Sequence, residues 1–171
     1  MLESGNGYID PIARVRGIAT RHGHYNDFVN RDNHYESRIW KYWLLDGSNE
    51  TSNLQMQRGV NLLQSGELNN ALKIFESLSK KEPRWAEPIN KIATIKFLMG
   101  DYLGSVNDIK LTLQLEPRHF GAISGLVQIN IHLKNYNEAL KNIDYVSKIH
   151  PFINIQQLRP HILKLIKKSS I

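Results

Sequence analysis

The chain has 171 residues, of which 41% are hydrophobic and 22% are charged, and its formal net charge is +6. This balance is that of a folded globular chain and excludes a highly charged disordered one. The sequence contains no cysteine, which excludes disulfide bonds, thiolate metal sites and a cysteine nucleophile. No apolar run approaches the roughly 18 residues that a membrane-spanning helix needs.

The N-terminal segment, residues 1–34, is rich in Asn, His, Tyr, Arg and Gly and contains few aliphatic side chains. Such a segment cannot bury enough apolar surface to form a core of its own. We therefore predict an extended or partly disordered arm over residues 1–34. It has no apolar leader of the secretory kind, and together with the lack of cysteine this favours an intracellular protein over a secreted one.

Residues 35–50 are predicted to form an amphipathic helix followed by a linker. Ile39, Trp40, Trp43 and Leu44 recur at a spacing that places them on one helix face. We expect this helix to cap the outer face of the helices that follow. Alternatively, Trp40 and Trp43 are an aromatic anchor for a partner, because tryptophan is frequent at the energetic centre of protein interfaces.

Residues 51–152 repeat with a period of 34. Pro83, Pro117 and Pro151 stand 34 residues apart, and each is expected to end a helix because proline lacks the amide donor and restrains the residue before it. A sustained 34-residue period indicates stacked helix–turn–helix units. We predict three units, at 52–85, 86–119 and 120–152.

Each predicted unit contains a leading helix, a turn and a second helix. Gly66 and Gly100 occupy the first two turns, where glycine takes the left-handed conformation that ends a helix. In the third unit the turn is Lys134-Asn135, and we expect asparagine to replace glycine as the left-handed residue.

Residues 153–171 are predicted to form a basic C-terminal capping helix. The last unit of an array exposes an apolar face that needs cover, and this segment supplies aliphatic residues such as Ile162. We expect the helix to begin at Pro160, because proline is tolerated in the first helical turn. The cations that make this tail basic are Arg159, Lys164, Lys167 and Lys168.

Residues 52–152 resemble three tandem tetratricopeptide repeats. The resemblance rests on Gly59 and Ala93 in the leading helices, on the glycine-acid turns that begin at Gly66 and Gly100, and on the terminal prolines. It implies an all-α solenoid, in which antiparallel helix pairs stack into a right-handed superhelix that binds other proteins. The stretches around Pro83 and Pro117 also resemble bacterial and mitochondrial members, which implies a cytoplasmic or mitochondrial setting.

The resemblance further implies a concave groove lined by the leading helices. The residues expected to face it are Met56, Val60, Leu63, Asn90, Thr94, Phe97, Gln128 and Ile131. Family members that bind chaperone C-terminal carboxylates use a lysine–asparagine clamp, and Met56 and Val60 occupy the positions of its first lysine and asparagine. We therefore expect the partner to be an amphipathic helix or an extended apolar peptide, and not a chaperone tail.

The sequence thus predicts a non-catalytic protein-interaction adaptor, or an accessory subunit of a larger assembly. It shows no phosphate-binding glycine loop, nucleophile elbow or zinc-ligand spacing, so we predict no enzyme activity, cofactor or metal. Two alternatives stay open. One is a ribosome- or nucleic-acid-associated factor that uses the basic tail, and whose binding falls steeply with salt. The other is a regulatory helical subunit of an enzyme complex.

Overall fold

The computed structural model describes residues 28–151 and 153–169, with side chains for 36–151 and 153–168. Every regular element in these ranges is a helix, which confirms the predicted all-α fold. None of the helices described is both long and apolar enough to cross a membrane. The elements, in chain order, are α1 (Phe28–Leu44), α2 (Glu50–Gln64), α3 (Leu68–Lys81), α4 (Ala86–Leu98), α5 (Tyr102–Leu115), α6 (Phe120–His132), α7 (Tyr136–Ile149), a 3-10 helix (Asn154–Leu158) and α8 (Arg159–Ser169).

The chain divides into two units after Asp46. Helix α1 belongs to the first and begins at Phe28, seven residues before its predicted start. The sequence from Phe28 onward contains no glycine or proline that would keep it extended, so the arm predicted over residues 1–34 ends earlier than expected. Residues 1–27, which hold most of that arm, lie outside the described residues. That α1 caps the repeats stays a prediction.

The second unit, from Gly47 onward, is built from antiparallel helix pairs, and each of its helices packs against the next along the chain. The second helices begin 34 residues apart, at Leu68, Tyr102 and Tyr136, and so do the leading helices that begin at Ala86 and Phe120. Helix α2 begins slightly earlier than the period predicts, at Glu50.

The buried positions of the second helices follow the same period. They form three sets of equivalent residues, namely Ala71, Ser105 and Ala139, then Phe75, Ile109 and Ile143, then Leu78, Thr112 and Val146. A repeated packing environment therefore explains the repeated sequence.

The turn within each helix pair contains one left-handed residue. These are Gly66 with φ 81°, Gly100 with φ 84° and Lys134 with φ 61°. The prediction that Asn135 would take this conformation is wrong, since its φ is −81°. In all three turns the next amide bonds back to a carbonyl five residues earlier, as from Asn135 N to Asn130 O at 2.7 Å. This Schellman geometry fixes which residue is left-handed, whatever its side chain prefers.

The C-terminal helix covers the third helix pair. A 3-10 turn leads into α8, which begins at Arg159 with Pro160 in its first turn, so the predicted start beside this proline is confirmed. Ile162 is completely buried in a cluster with Val127, Ala139 and Ile143. Its burial removes from water the apolar face that the third pair would otherwise expose.

Candidate binding cleft

A cleft of about 150 Å³ lies between the leading helices α4 and α6. Helix α4 contributes Asn90, Thr94 and Phe97 to its lining, and α6 contributes Ser124 and Gln128. None of the residues that line the cleft carries a charge.

The cleft is open because α6 lacks side chains where it faces α4. Gly121 and Gly125, one helical turn apart, both belong to the lining, and a Cβ atom at Gly125 would meet Ile109 Cδ1 at 3.2 Å. The positions 34 residues earlier hold Glu87 and Lys91. The repeat therefore permits a cleft at this joint, whereas the preceding joint carries long side chains at the equivalent positions.

A buried polar network lies behind this cleft and joins α4 to α6. Glu87 is completely buried in the first turn of α4. Its Oε1 lies 2.8 Å from Lys91 Nζ, and its Oε2 lies 2.7 Å from His119 Nε2 and accepts a hydrogen bond from Asn90 Nδ2 at 3.2 Å. Because Asn90 also lines the cleft, the network reaches the candidate binding surface.

The network keeps Glu87 ionised. Burial alone would raise the pKa of this carboxyl, but the charge of Lys91 and the hydrogen bond from His119 outweigh burial and lower the pKa to about 2. A buried carboxylate is tolerated only when it is paired and hydrogen-bonded in this way. Removing any one of its partners is therefore expected to be costly.

His119 connects the network to the start of α6. The imidazole is completely buried, and its Nδ1 accepts a hydrogen bond from Ala122 N at 3.1 Å, which makes His119 the N-cap of α6. A ring nitrogen that accepts a hydrogen bond carries no proton, so the remaining proton lies on Nε2 and points to Glu87. The sequence predicted His119 at a helix end or on the surface, and the structure places it at a helix end but in the interior.

The hydroxyl groups around the cleft donate to backbone carbonyls. Thr94 Oγ1 donates to Asn90 O at 3.0 Å, Ser124 Oγ to Phe120 O at 2.8 Å, and Ser105 Oγ to Ala93 O at 2.7 Å. At one end of the groove three rings meet, and Phe97 lies 5.6 Å from Tyr102 and 5.9 Å from His132 between ring centroids. Phe97 is therefore partly committed to packing.

Comparison with known proteins agrees with this architecture. No protein-family model matches the chain. A tetratricopeptide-repeat-containing protein of Rhizobium etli is 35% identical over 106 residues, which make up 62% of this chain and 52% of that protein. The chain is a tetratricopeptide-repeat protein. It spans about half the length of this curated relative.

Solved structures share the fold at low sequence identity. The first tetratricopeptide-repeat domain of Spaghetti (RPAP3), bound to the HSP90 peptide SRMEEVD, is 15% identical with a TM-score of 0.62, covering 70% of this chain and 94% of that one. The type III secretion chaperone SycD of Yersinia enterocolitica, in complex with a peptide of the translocator YopD, is 13% identical with a TM-score of 0.60, covering 71% of this chain and 93% of that one.

Half of the groove residues predicted in this tetratricopeptide-repeat protein line the cleft, namely Asn90, Thr94, Phe97 and Gln128. Met56 is 1% exposed, so its side chain is not available to a partner in this structure. Val60 and Leu63 are half-buried on α2, and Ile131 packs against the cluster around Ile162. The sequence brought the right helices together but did not show at which joint they separate.

The basic tail and the aromatic anchor are only partly available for binding. Arg159 forms an ion pair with Asp144 of α7, whereas Lys164, Lys167 and Lys168 are exposed on α8. In α1, Trp43 is 4% exposed and Trp40 packs edge-on against it, with ring centroids 5.3 Å apart. A role for either group in binding a partner stays a prediction.

Proposed function

We propose that this tetratricopeptide-repeat protein is a non-catalytic adaptor, or an accessory subunit of a larger assembly, that binds a segment of a partner protein in the cleft between α4 and α6. The observation that carries the proposal is the cleft itself, which opens between two leading helices and is lined without any charge. Spaghetti and SycD have the same fold and were solved with bound peptides, which supports a peptide as the class of ligand.

The lining favours an uncharged segment. Phe97, Ile109 and Ile129 offer apolar contact, and the remaining side chains are small or are neutral and polar. A C-terminal carboxylate would have no cation of the lining to pair with, and a buried charge without a partner is costly. An extended apolar peptide or one face of an amphipathic helix therefore suits the cleft better than a chaperone tail.

The basic tail offers a weaker basis for function. One of its four cations, Arg159, is already paired with Asp144, and the remaining three lysines lie on an exposed helix face. Binding to phosphates through such a tail would weaken steeply with salt, whereas apolar contact in the cleft would not. The two modes can therefore be separated in one experiment.

The test is affinity capture from extracts of the native cells at two salt concentrations, with Gln128→Arg as the cleft variant. Gln128 is exposed and lines the cleft, so the longer charged side chain should obstruct the cleft without unfolding α6. Gln114→Arg is the matched control, because Gln114 is exposed on α5 and does not belong to the lining.

The expected result is a small set of proteins that resists salt, is retained by the unsubstituted chain and by Gln114→Arg, and is lost from Gln128→Arg. Identical sets for all three proteins would show that the cleft is not the binding site. Capture of RNA or ribosomal proteins that disappear at high salt would instead assign the function to the basic tail.

A further inference from the structure

We infer that the cleft selects its partner segment through an uncharged N–H donor, such as a carboxamide side chain or a backbone amide, because the polar groups that line it are held as hydrogen-bond acceptors. This inference rests on the proposed function and specifies the chemistry that the partner presents at that site.

The hydroxyl groups supply the first part of the argument. A threonine or serine hydroxyl has one proton to donate and two lone pairs with which to accept. Thr94 and Ser124 each donate that proton to a carbonyl of their own helix, and Ser105 donates to a carbonyl of α4. What remains for a ligand in the cleft is oxygen lone pairs.

Asn90 supplies the second part. Its amide nitrogen donates to the Glu87 carboxylate, and an ionised carboxylate can only accept. The carboxylate therefore fixes which end of the Asn90 amide points into the network, and the carbonyl Oδ1 occupies the other end. Lys91 and His119 hold Glu87 in place from the other side. Asn90 is thus presented to the cleft in one orientation.

The charge distribution decides which donor fits. A carboxylate ligand would set its oxygens against the oxygens of Asn90, Thr94 and Ser124. A cationic ligand could donate, but it would approach a chain with a net charge of +6 and no anion in the cleft lining, which disfavours its association. Gln128 is the one amide of the lining apart from Asn90, and it can both donate and accept. A neutral N–H donor satisfies all of these groups.

The test is a titration of the isotope-labelled full chain by nuclear magnetic resonance with propionamide and with propionate. The two probes have nearly the same shape, and only propionamide donates a hydrogen bond. We expect propionamide to shift the backbone amide signals of Thr94, Ser124 and Gly125 in a saturable way. Its dissociation constant should be at least about tenfold lower than that of propionate, since an unsatisfied polar contact typically costs that much.

Isosteric variants connect the effect to the acceptors. Thr94→Val removes one acceptor from an exposed position and should weaken propionamide binding severalfold. The matched control Thr51→Val lies at the start of α2, outside the lining, and should leave binding unchanged. Equal affinities for the two probes, tighter binding of propionate, or tighter binding of propylammonium than of propionamide would each overturn the inference.

The inference and the proposed function can fail separately. If partner capture depends on Gln128 but neither probe shifts the signals of the cleft, the function stands and the donor inference is wrong. If propionamide binds selectively but capture is the same for Gln128→Arg and Gln114→Arg, the cleft has the inferred polarity and the proposed function is wrong.

Discussion

The substitution Gly59→Ala would test how tightly the first helix pair is packed. Gly59 is buried in α2, where it faces α3. A Cβ atom added there would lie 2.7 Å from both Cε1 and Cζ of Phe75, and 3.2 Å from Cγ2 of Ile74. Carbon atoms pack best at about 3.5–4.0 Å, so the ring of Phe75 would have to move by about 1 Å. That ring is completely buried and cannot swing into solvent.

Two opposing terms set the expected magnitude. Alanine favours a helix interior over glycine by about 1 kcal/mol. Overpacking a close-packed contact costs about 1–3 kcal/mol, and the two short contacts with Phe75 argue for the upper part of that range. We therefore expect Gly59→Ala to lower the free energy of unfolding by about 1–2 kcal/mol. For a chain of this size the melting temperature should fall by about 3–6 °C.

The assay is urea and thermal unfolding followed by circular dichroism, with Gly125→Ala as the control. At Gly125 the added methyl group meets only the flexible end of Ile109, at 3.2 Å, so the helical preference for alanine should make this variant as stable as the unsubstituted chain, or more stable. The double variant Gly59→Ala/Phe75→Leu should recover part of the loss relative to Phe75→Leu alone. If Gly59→Ala were as stable as Gly125→Ala, the tight contact between α2 and α3 would be refuted.

Three further variants test other features. Lys134→Gly should raise the free energy of unfolding by about 0.5–1 kcal/mol in urea titrations, because glycine adopts the left-handed conformation without the steric cost that lysine bears; a loss of stability would contradict this turn geometry. Ile162→Ala should cost about 2–4 kcal/mol in the same assay, since Ile162 is completely buried between α8 and the third pair. For Glu87, the folded-state pKa of about 2 lies below the model value of 4.5, so its contribution is present above pH 4.5 and is lost as the pH falls toward 2. Two to three pKa units correspond to about 3 kcal/mol, and unfolding measured as a function of pH should show this loss in the unsubstituted chain but not in Glu87→Gln.

The repeating positions could be predicted from the sequence because their packing environment recurs. Ala71, Ser105 and Ala139 were predicted as close contacts, and all three are buried. The period also located the third left-handed residue at Lys134, and it was the general preference of asparagine for this conformation that pointed to Asn135 instead. The backbone hydrogen bonds of the turn outweigh that side-chain preference.

The features that do not repeat could not be predicted in this way. Glu87 and His119 are 32 residues apart, and the period of 34 gives no reason to pair them. Met56 was expected to face the groove because it is equivalent to Asn90, yet it is buried. Exposure at this position depends on the next leading helix, which offers glycine at the cleft and larger residues at the preceding joint.

The Glu87–His119 contact also bears on the order in which the repeats open. In a linear array, stability is approximately a sum of terms for single repeats and terms for the joints between neighbours. Glu87 and His119 add a charged and hydrogen-bonded contact to the joint between the second and third repeats, whereas the residues 34 positions earlier are Asn53 and Trp85. Amide hydrogen exchange should therefore show α4 and α6 opening as one cooperative unit, while α2 exchanges through smaller and more frequent openings. The cleft lies inside the unit that opens least, so a bound segment would meet a preorganised surface.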